Sequence, residues 1–386
     1  MDMSIRDNDF RKTARARIER LCRRLVETSP EVFAERALLL TDAYRNNDRE
    51  PVQIQRALAL DHILRKVETV ICEDELIVGC KVPMAKGSPL YPEFNVRWLE
   101  DELDTMAHRE ETPFEVGEDT KRTVREQVIP EWQGRTVFDR IVSTAPHEAL
   151  TGAEEGLFFH YYLDRSIGHI TVNYEKVLKI GLKGLKEEIA TCKTRLKSST
   201  DDYFQKKTFY RALVIVANGI IALAQRYADL AAELSIRCED QNRQKELKSI
   251  SDICRRVPQE PAQSFHEALQ SFWFIHLVLN LESNSYAISP GRFCQYIHPF
   301  YEADQKANRI GEAAAQELID CLWIKFNELT VVKAAATAKA SNTYVDFQNL
   351  NIGGLTVDGR DGTNAVSYMC LNAWRNSNCP NPNYHV

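Results

Sequence analysis

Two histidine–glutamate pairs are the first places to look for chemistry in this 386-residue sequence. A zinc-peptidase helix needs a second histidine four residues after the first, so that both imidazoles share one face. His147-Glu148 has Thr151 at that place and His266-Glu267 has Gln270, so neither pair can make such a centre. No phosphate-binding P-loop occurs, and Gly353, Gly354 and Gly359 lack dinucleotide-fold spacing. Ten cysteines stand singly with no CxxC pair, which argues against a zinc ribbon or a thioredoxin-type motif. No Ser, His and Asp set stands in a defensible triad order. Two features remain. His169 follows Gly168 at the start of a run in which Ile170, Val172 and Tyr174 alternate with polar residues. A neutral imidazole there can donate to or accept from a hydroxyl. The second feature is the polar, turn-rich stretch Glu282-Ser283-Asn284-Ser285-Tyr286-Ala287-Ile288-Ser289-Pro290-Gly291-Arg292-Phe293-Cys294-Gln295-Tyr296. On pattern alone His169 also fits a satisfied, partly buried histidine. Likewise the stretch fits an ordinary helix–loop–helix corner, and Tyr286 and Phe347 fit core aromatics.

The elements around these residues follow from periodicity. Phe265, Leu269, Phe272, Ile275 and Leu279 recur at three or four residues, the mark of a buried helix face leading into the polar stretch. Leu318, Leu322, Trp323, Phe326 and Leu329 mark a second apolar face beyond it. Ser29-Pro30 reads as a helix start, with Phe33, Ala37, Leu40 and Tyr44 on one face. Glu75 to Val78 reads as a short strand ended by Gly79, and Pro130 as the end of a helix begun near Asp119. Phe158 to Tyr162 is densely aromatic, and Phe204 to Leu234 forms a long helix. Val345 to Ile352 reads as a strand closed by Gly353-Gly354, after which Thr363 caps a helix with Val366, Cys370 and Ala373 on its face. Strands separated by long helical stretches indicate α/β architecture.

Charge and composition exclude little but point one way. A net charge of −6 disfavours nucleic acid as a partner. Arg11 to Val26 is the exception, with seven Lys or Arg residues against Glu19; it reads as a helix with a solvated basic face, or alternatively a polyanion site. No unbroken apolar run approaches a membrane span, and Met1 to Phe10 lacks a signal-peptide core, so reduced thiols in a cytoplasm are expected.

The stretch E-S-N-S-Y-A-I-S-P-G-R-F-C-Q-Y resembles the pyruvate formate-lyase-like glycyl radical enzymes, above all their dehydratase branch, of the glycerol and hydroxyproline dehydratase type. Further matching segments are Ser29-Pro30, Asp74 to Gly79, Gly168 to Tyr174, Gln316 to Trp323 and Asn349 to Gly354, in family order along nearly the whole chain. The resemblance implies one domain across 1–386. Residues 11–135 would form a helix-rich N-terminal layer, and 157–386 the first part of a ten-stranded α/β barrel, left incomplete. It implies His169, Tyr286, Ala287 and Phe347 as substrate-pocket positions. Glycerol-type enzymes carry His-Ser where Tyr286-Ala287 stand and a tyrosine where Phe347 stands, so this pocket is less polar and a polyol is disfavoured. Asp at the Ala287 position would mark a hydroxyproline-type enzyme. Cys294 replaces the family's usual aspartate.

The family's chemistry rests on a thiyl cysteine in G-C-x-E and a radical glycine in R-V-x-G-Y, and neither motif occurs in these 386 residues. The resemblance therefore implies the N-terminal half of a glycyl radical lyase or dehydratase for a small polar metabolite, inactive alone and with no catalytic or metal-binding residue of its own. An S-adenosylmethionine-dependent iron–sulfur activase would install the radical. An anaerobic cytoplasm follows, and a homodimer when complete, with no nucleic-acid or membrane partner. Unpaired strand edges would favour association of the isolated chain. A catalytically dead helical interaction module, pairing with a full-length homologue, is the competing reading.

Overall fold

The computed structural model describes residues 3–158, 165–166, 168–345, 347–379 and 383–385. The N-terminal part is a helical layer. Helix α1 (Met3–Glu27) is followed by strand β1 (Glu31–Phe33), then α2 (Glu35–Asn46), α3 (Val52–Lys66) and β2 (Gly87–Pro89), with β1 and β2 parallel. The expected helix start at Ser29-Pro30 is therefore displaced: Phe33 lies in a strand, and α2 begins at Glu35. Helices α4 (Arg97–Glu102) and α5 (Glu118–Thr123) come next, then a π turn at Val124–Val128 and α6 (Ile129–Trp132). Pro130 does not end this helical run. It sits in the first turn of α6, where its missing N–H matters little, and the π turn before it absorbs the break. Helices α7 (Val137–Thr144) and α8 (His147–Glu154) complete the layer.

Part of the basic face of α1 turns inward, while Arg11, Lys12, Arg15, Arg20 and Arg23 stay exposed as expected. Arg17 is 8% exposed; its Nε donates to Glu317 at 2.9 Å and it pairs with Glu246. Arg20 forks onto Asp74 with two 2.7 Å bonds, and Arg24 reaches Glu328 at 2.6 Å and Glu75 at 3.2 Å. Buried Lys325 joins Glu75 and Glu328. Arg17, Arg20 and Arg24 therefore make a seam between α1 and the core, because each finds a carboxylate that is distant in sequence.

The second half begins with α9 (Tyr174–Thr194), α10 (Tyr203–Arg237) and α11 (Gln241–Arg256). By length and composition α10 could cross a membrane. A search for unbroken apolar runs misses it because polar residues interrupt its sequence. Here it packs on α3 and α11. Leu223, Ala224, Tyr227, Ala228 and Ala231 are buried, and Arg226 donates to the carbonyls of Leu64 and Val67. A β-carbon at Gly219 would lie 3.0 Å from the Asp61 Cα, so glycine permits the close approach to α3.

Helix α12 (Phe265–Glu282) is the centre of the core, and α13 (Phe293–Lys306), α14 (Glu312–Asn327) and α15 (Ala335–Ala340) follow it. Phe265, Ala268, Leu269, Trp273, Phe274, Leu277 and Leu281 of α12 are all fully buried. A helix apolar on every side belongs inside a protein. Ser264 caps it, accepting the Glu267 N–H. Val78 forms no strand here, because the Gln270 side chain takes both its N–H (2.9 Å) and its carbonyl (2.8 Å). The sheet partner the sequence implied is a single amide.

Strand β3 (Asn349–Asn351), α16 (Ala365–Ser377) and β4 (Asn383–His385) finish the described chain. Asn364, not Thr363, caps α16, in a reciprocal box with Ser367. Four segments form a parallel arc: Ile170 bridges Ile288, Gly291 bridges Leu350, and β3 pairs with β4 in register. This is α/β architecture of the expected kind, although regular strand is shorter than the alternation suggested. Tyr174 already belongs to α9, and Val345 pairs antiparallel with Thr330 instead of extending β3.

Candidate functional site

The polar stretch is fixed from behind by Arg36. This guanidinium is 1% exposed and donates to the carbonyls of Leu281 (2.7 Å), Glu282 (2.9 Å) and Leu90 (3.0 Å) and to the Glu93 carboxylate at 2.6 Å. It thereby satisfies carbonyls left over where α12 ends. Beyond it Ser283, Asn284 and Ser285 are buried. The Asn284 side chain accepts the Ser166 N–H at 3.0 Å, its backbone carbonyl accepts Arg165 Nη2 at 3.2 Å, and the Ser285 hydroxyl bonds those of both Ser166 and Ser283.

This clamp brings His169, Tyr286 and Ala287 together. The His169 N–H donates to the Tyr286 carbonyl at 3.1 Å, and the Ser289 N–H donates to the Ile170 carbonyl at 2.9 Å. The His169 ring stands edge-on to the Tyr286 ring, centroids 5.0 Å apart and planes at 88°. The Arg165 guanidinium lies 4.9 Å from the centroid of the Tyr286 ring, a cation–π arrangement. His169 is exposed, Tyr286 is half-buried and Ala287 is buried. His169 and Ala287 both have left-handed backbones, with φ of 60° and 57°. Such conformations cost non-glycine residues about 1–3 kcal/mol each and collect at functional sites. Gly168 is required by contact: a β-carbon there would fall 1.3 Å from the Tyr286 carbonyl oxygen.

Phe347 makes no ring contact with His169 or Tyr286 among the described residues. It is 51% exposed, on the segment leading into β3, whose Asn349 N–H donates to Ser289 Oγ at 3.3 Å. Its neighbour Gln348 is buried and bonds inward. Sequence reasoning missed Arg165, Arg36 and Gln348, each a single polar residue in an unremarkable context. The expected aromatic cluster falls mostly outside the described residues, since Phe159, His160, Tyr161 and Tyr162 are not among them. Cys294, without a rationale in the sequence, has one here. Its sulfur accepts the Gly353 N–H at 3.3 Å and lies 3.8 Å from the Asn351 carbonyl. A thiol can accept from one and donate to the other, whereas an ionised aspartate can only accept.

Behind the arc runs a buried relay. The Tyr174 hydroxyl meets His276 Nδ1 at 2.8 Å, His276 Nε2 meets Gln348 Oε1 at 2.7 Å, and Gln348 Nε2 donates to the Phe326 carbonyl at 3.1 Å. Because Gln348 Oε1 only accepts, His276 Nε2 carries the proton and Nδ1 accepts from Tyr174. Burial pushes His276 down to about 4. A histidine with a depressed folded-state value stabilises the fold above its unfolded value of about 6.5, and that contribution is lost as pH falls toward 4. Asp320, raised by burial to about 6, acts in the opposite sense, destabilising the fold as pH rises through that window. The test is therefore a difference. The stability advantage of wild type over His276→Gln, from urea unfolding, should shrink by about 3 kcal/mol between pH 7 and pH 4. A pH-independent difference would show that His276 is not held neutral.

The fold and this trio define a parallel α/β arc carrying a polar, strained site between strand ends and a buried central helix. The chain belongs to the pyruvate formate lyase-like family, whose sequence model matches residues 9–386. It is 34% identical over 359 residues to trans-4-hydroxy-L-proline dehydratase of Clostridioides difficile, covering 92% of this chain and 45% of that protein. It is 33% identical over 359 residues to isethionate sulfite-lyase of Nitratidesulfovibrio vulgaris, covering 90% and 43%. A solved structure concerned with 1,2-propanediol dehydration in Roseburia inulinivorans superposes with a TM-score of 0.94 at 40% identity, covering 95% of this chain and 46% of that one. The glycerol-bound, B12-independent glycerol dehydratase of Clostridium butyricum gives 0.92 at 36% identity, covering 96% and 47%. The chain thus spans about half the length of the relatives it matches.

Proposed function

We propose that this chain supplies the first half of the substrate site of a glycyl radical lyase or dehydratase acting on a small polar metabolite. The observation that carries this reading is the convergence of His169, Tyr286 and Ala287, from segments more than a hundred residues apart, at one end of the parallel arc. The named relatives support it: their printed substrates include a hydroxylated amino acid, a hydroxyalkyl sulfonate and a diol. In this reading the exposed His169 imidazole hydrogen-bonds the group that departs, and Tyr286 orients the ring by its edge contact. Phe347 forms an apolar wall on the neighbouring segment, and Ala287 leaves space where related enzymes place a hydroxyl.

A stored glycyl radical supplies hydrogen-atom abstraction through a cysteine in this family. The residues of this chain do not fit that part of the chemistry, since no cysteine stands in G-C-x-E and no glycine in R-V-x-G-Y. We assign both to polypeptide outside these 386 residues, with the radical installed by an S-adenosylmethionine iron–sulfur activase and the assembly working in an anaerobic cytoplasm.

Electron paramagnetic resonance tests this assignment. After anaerobic incubation with an activase from a related organism, the chain alone should give no glycyl doublet and no turnover of propane-1,2-diol, isethionate or hydroxyproline. A doublet arising from this chain would overturn the assignment.

A further inference from the structure

Helices α2, α3 and α7 enclose a cleft of about 460 Å³, and Arg36 and Glu282 of the clamp form part of its wall. That is the size of a small-molecule site. Leu40, Leu60, Ile63, Phe94 and Trp132 in the lining are buried. The Trp132 indole is fixed by a 2.8 Å bond to Thr41 Oγ1 and meets the Tyr44 ring edge-on, centroids 5.1 Å apart. Helix α7 is fixed as well. Thr136 and Asp139 form a reciprocal cap at its start, and the N–H groups of Val137 and Phe138 donate to the carbonyls of Glu93 and Phe94 at 3.0 and 2.9 Å. The walls are therefore in place before anything binds. Three further lining side chains are apolar and yet open to solvent: Val52 is 73% exposed, Val137 47% and Ile141 38%. Singly such residues need no explanation, but around one concavity they form a patch. Charge gives the cleft a sign. Four arginines but only two glutamates line it, and both glutamates are taken, Glu93 by Arg36 and Glu282 by Arg56 at 2.9 Å. Arg135 shares Glu131 with Arg45. The Arg140 guanidinium has no carboxylate partner among the described residues, and the Tyr44 hydroxyl has no hydrogen-bond partner among them.

We propose that this cleft binds a small amphiphilic carboxylate with an apolar chain of medium length. The chain lies against Leu60, Ile63 and Trp132, and the carboxylate meets Arg140 at the mouth. The inference is independent of the lyase reading, since none of these residues belongs to the His169–Tyr286–Ala287 trio. Apolar walls reward burial of the chain. The unmatched guanidinium selects an anion over a cation, and its planar fork suits a carboxylate. A neutral amphiphile gains the first of these and not the second, and a bare inorganic anion gains the second and not the first.

Isothermal titration of the full chain with octanoate tests this. The expected result is saturable one-to-one binding, weakened about tenfold or more by Arg140→Gln and by Ile141→Glu. Both positions are exposed, so neither change disturbs the core. Arg375→Gln, which removes a cation from α16, should leave the affinity unchanged. 1-Octanol should bind at least about tenfold more weakly than octanoate, and phosphate should not displace it. Hydrogen exchange should place the added protection on α3 and α7. Absence of saturable binding, octanol binding as tightly as octanoate, displacement by phosphate, or affinity untouched by both cleft variants would each overturn the proposal. So would a dimer that Ile141→Glu dissociates with no octanoate bound, which would assign this face to a second copy of the chain.

Discussion

Arg36→Met is expected to lower the stability of the fold by about 3–5 kcal/mol, the usual cost of breaking a buried ion pair from one side. The guanidinium ties α2 to two other segments at once. It joins the end of α12 through the carbonyls of Leu281 and Glu282, the loop after β2 through Leu90 and Glu93, and stacks 3.9 Å over Tyr91. Methionine keeps much of the volume but leaves the Glu93 carboxylate and three carbonyls without their donor. Arg36→Lys should cost nearly as much, because one ammonium cannot span the same set of acceptors. Denaturant midpoints measure both, with unchanged m-values as the check that the denatured state is not altered. A loss under about 1 kcal/mol for Arg36→Met would mean that the end of α12 is held by other contacts.

Gly168→Ala is expected to be similarly damaging, and local to the site. The added methyl would collide with the Tyr286 carbonyl at 1.3 Å, and a backbone atom cannot move aside as a side chain can. The two segments must separate, losing the His169 N–H bond to Tyr286 and the pairing of Ser289 with Ile170. Overpacking of this kind costs about 1–3 kcal/mol or more. Amide hydrogen exchange should show loss of protection at His169 and Ser289 while the amides of α12 keep theirs. Unchanged protection at both positions would contradict the packed arrangement of Gly168 against Tyr286.

What the sequence discloses depends on whether a residue's partners are near it. Helix α12 is legible because its own residues are apolar throughout, and the turn signals of Pro290-Gly291 separate it from α13. The join between Gly168-His169 and Tyr286-Ala287 is legible only through family resemblance, because nothing local to either segment announces the other. Val78 shows the limit: it has the composition of a strand, yet its backbone is satisfied by Gln270, 192 residues away. The solvated face expected of α1 holds for Arg11, Arg15 and Arg23, but the inward turn of Arg17 and Arg24 was not legible for the same reason, since the carboxylates they meet lie on Glu75, Glu246, Glu317 and Glu328. Arg36 and Gln348 gave no signal at all. A lone polar residue amid ordinary helix or strand sequence becomes recognisable only when the carbonyls and rings around it are in place.

The most direct measurement of the central claim is turnover by a reconstituted pair. The chain would be combined anaerobically with the C-terminal half of the related Roseburia inulinivorans propanediol dehydratase and an activase. Product formation from the diol, a hydroxyalkyl sulfonate and hydroxyproline would be followed beside the glycyl radical signal. The account predicts a radical on the added half and turnover of at least one substrate, with His169→Ala cutting turnover by about 100-fold or more, the usual scale for a positioned acid–base group, while the radical signal is unchanged. Absence of turnover beside an intact radical, or turnover that His169→Ala leaves untouched, would contradict the assignment of this face of the arc as half of the substrate site.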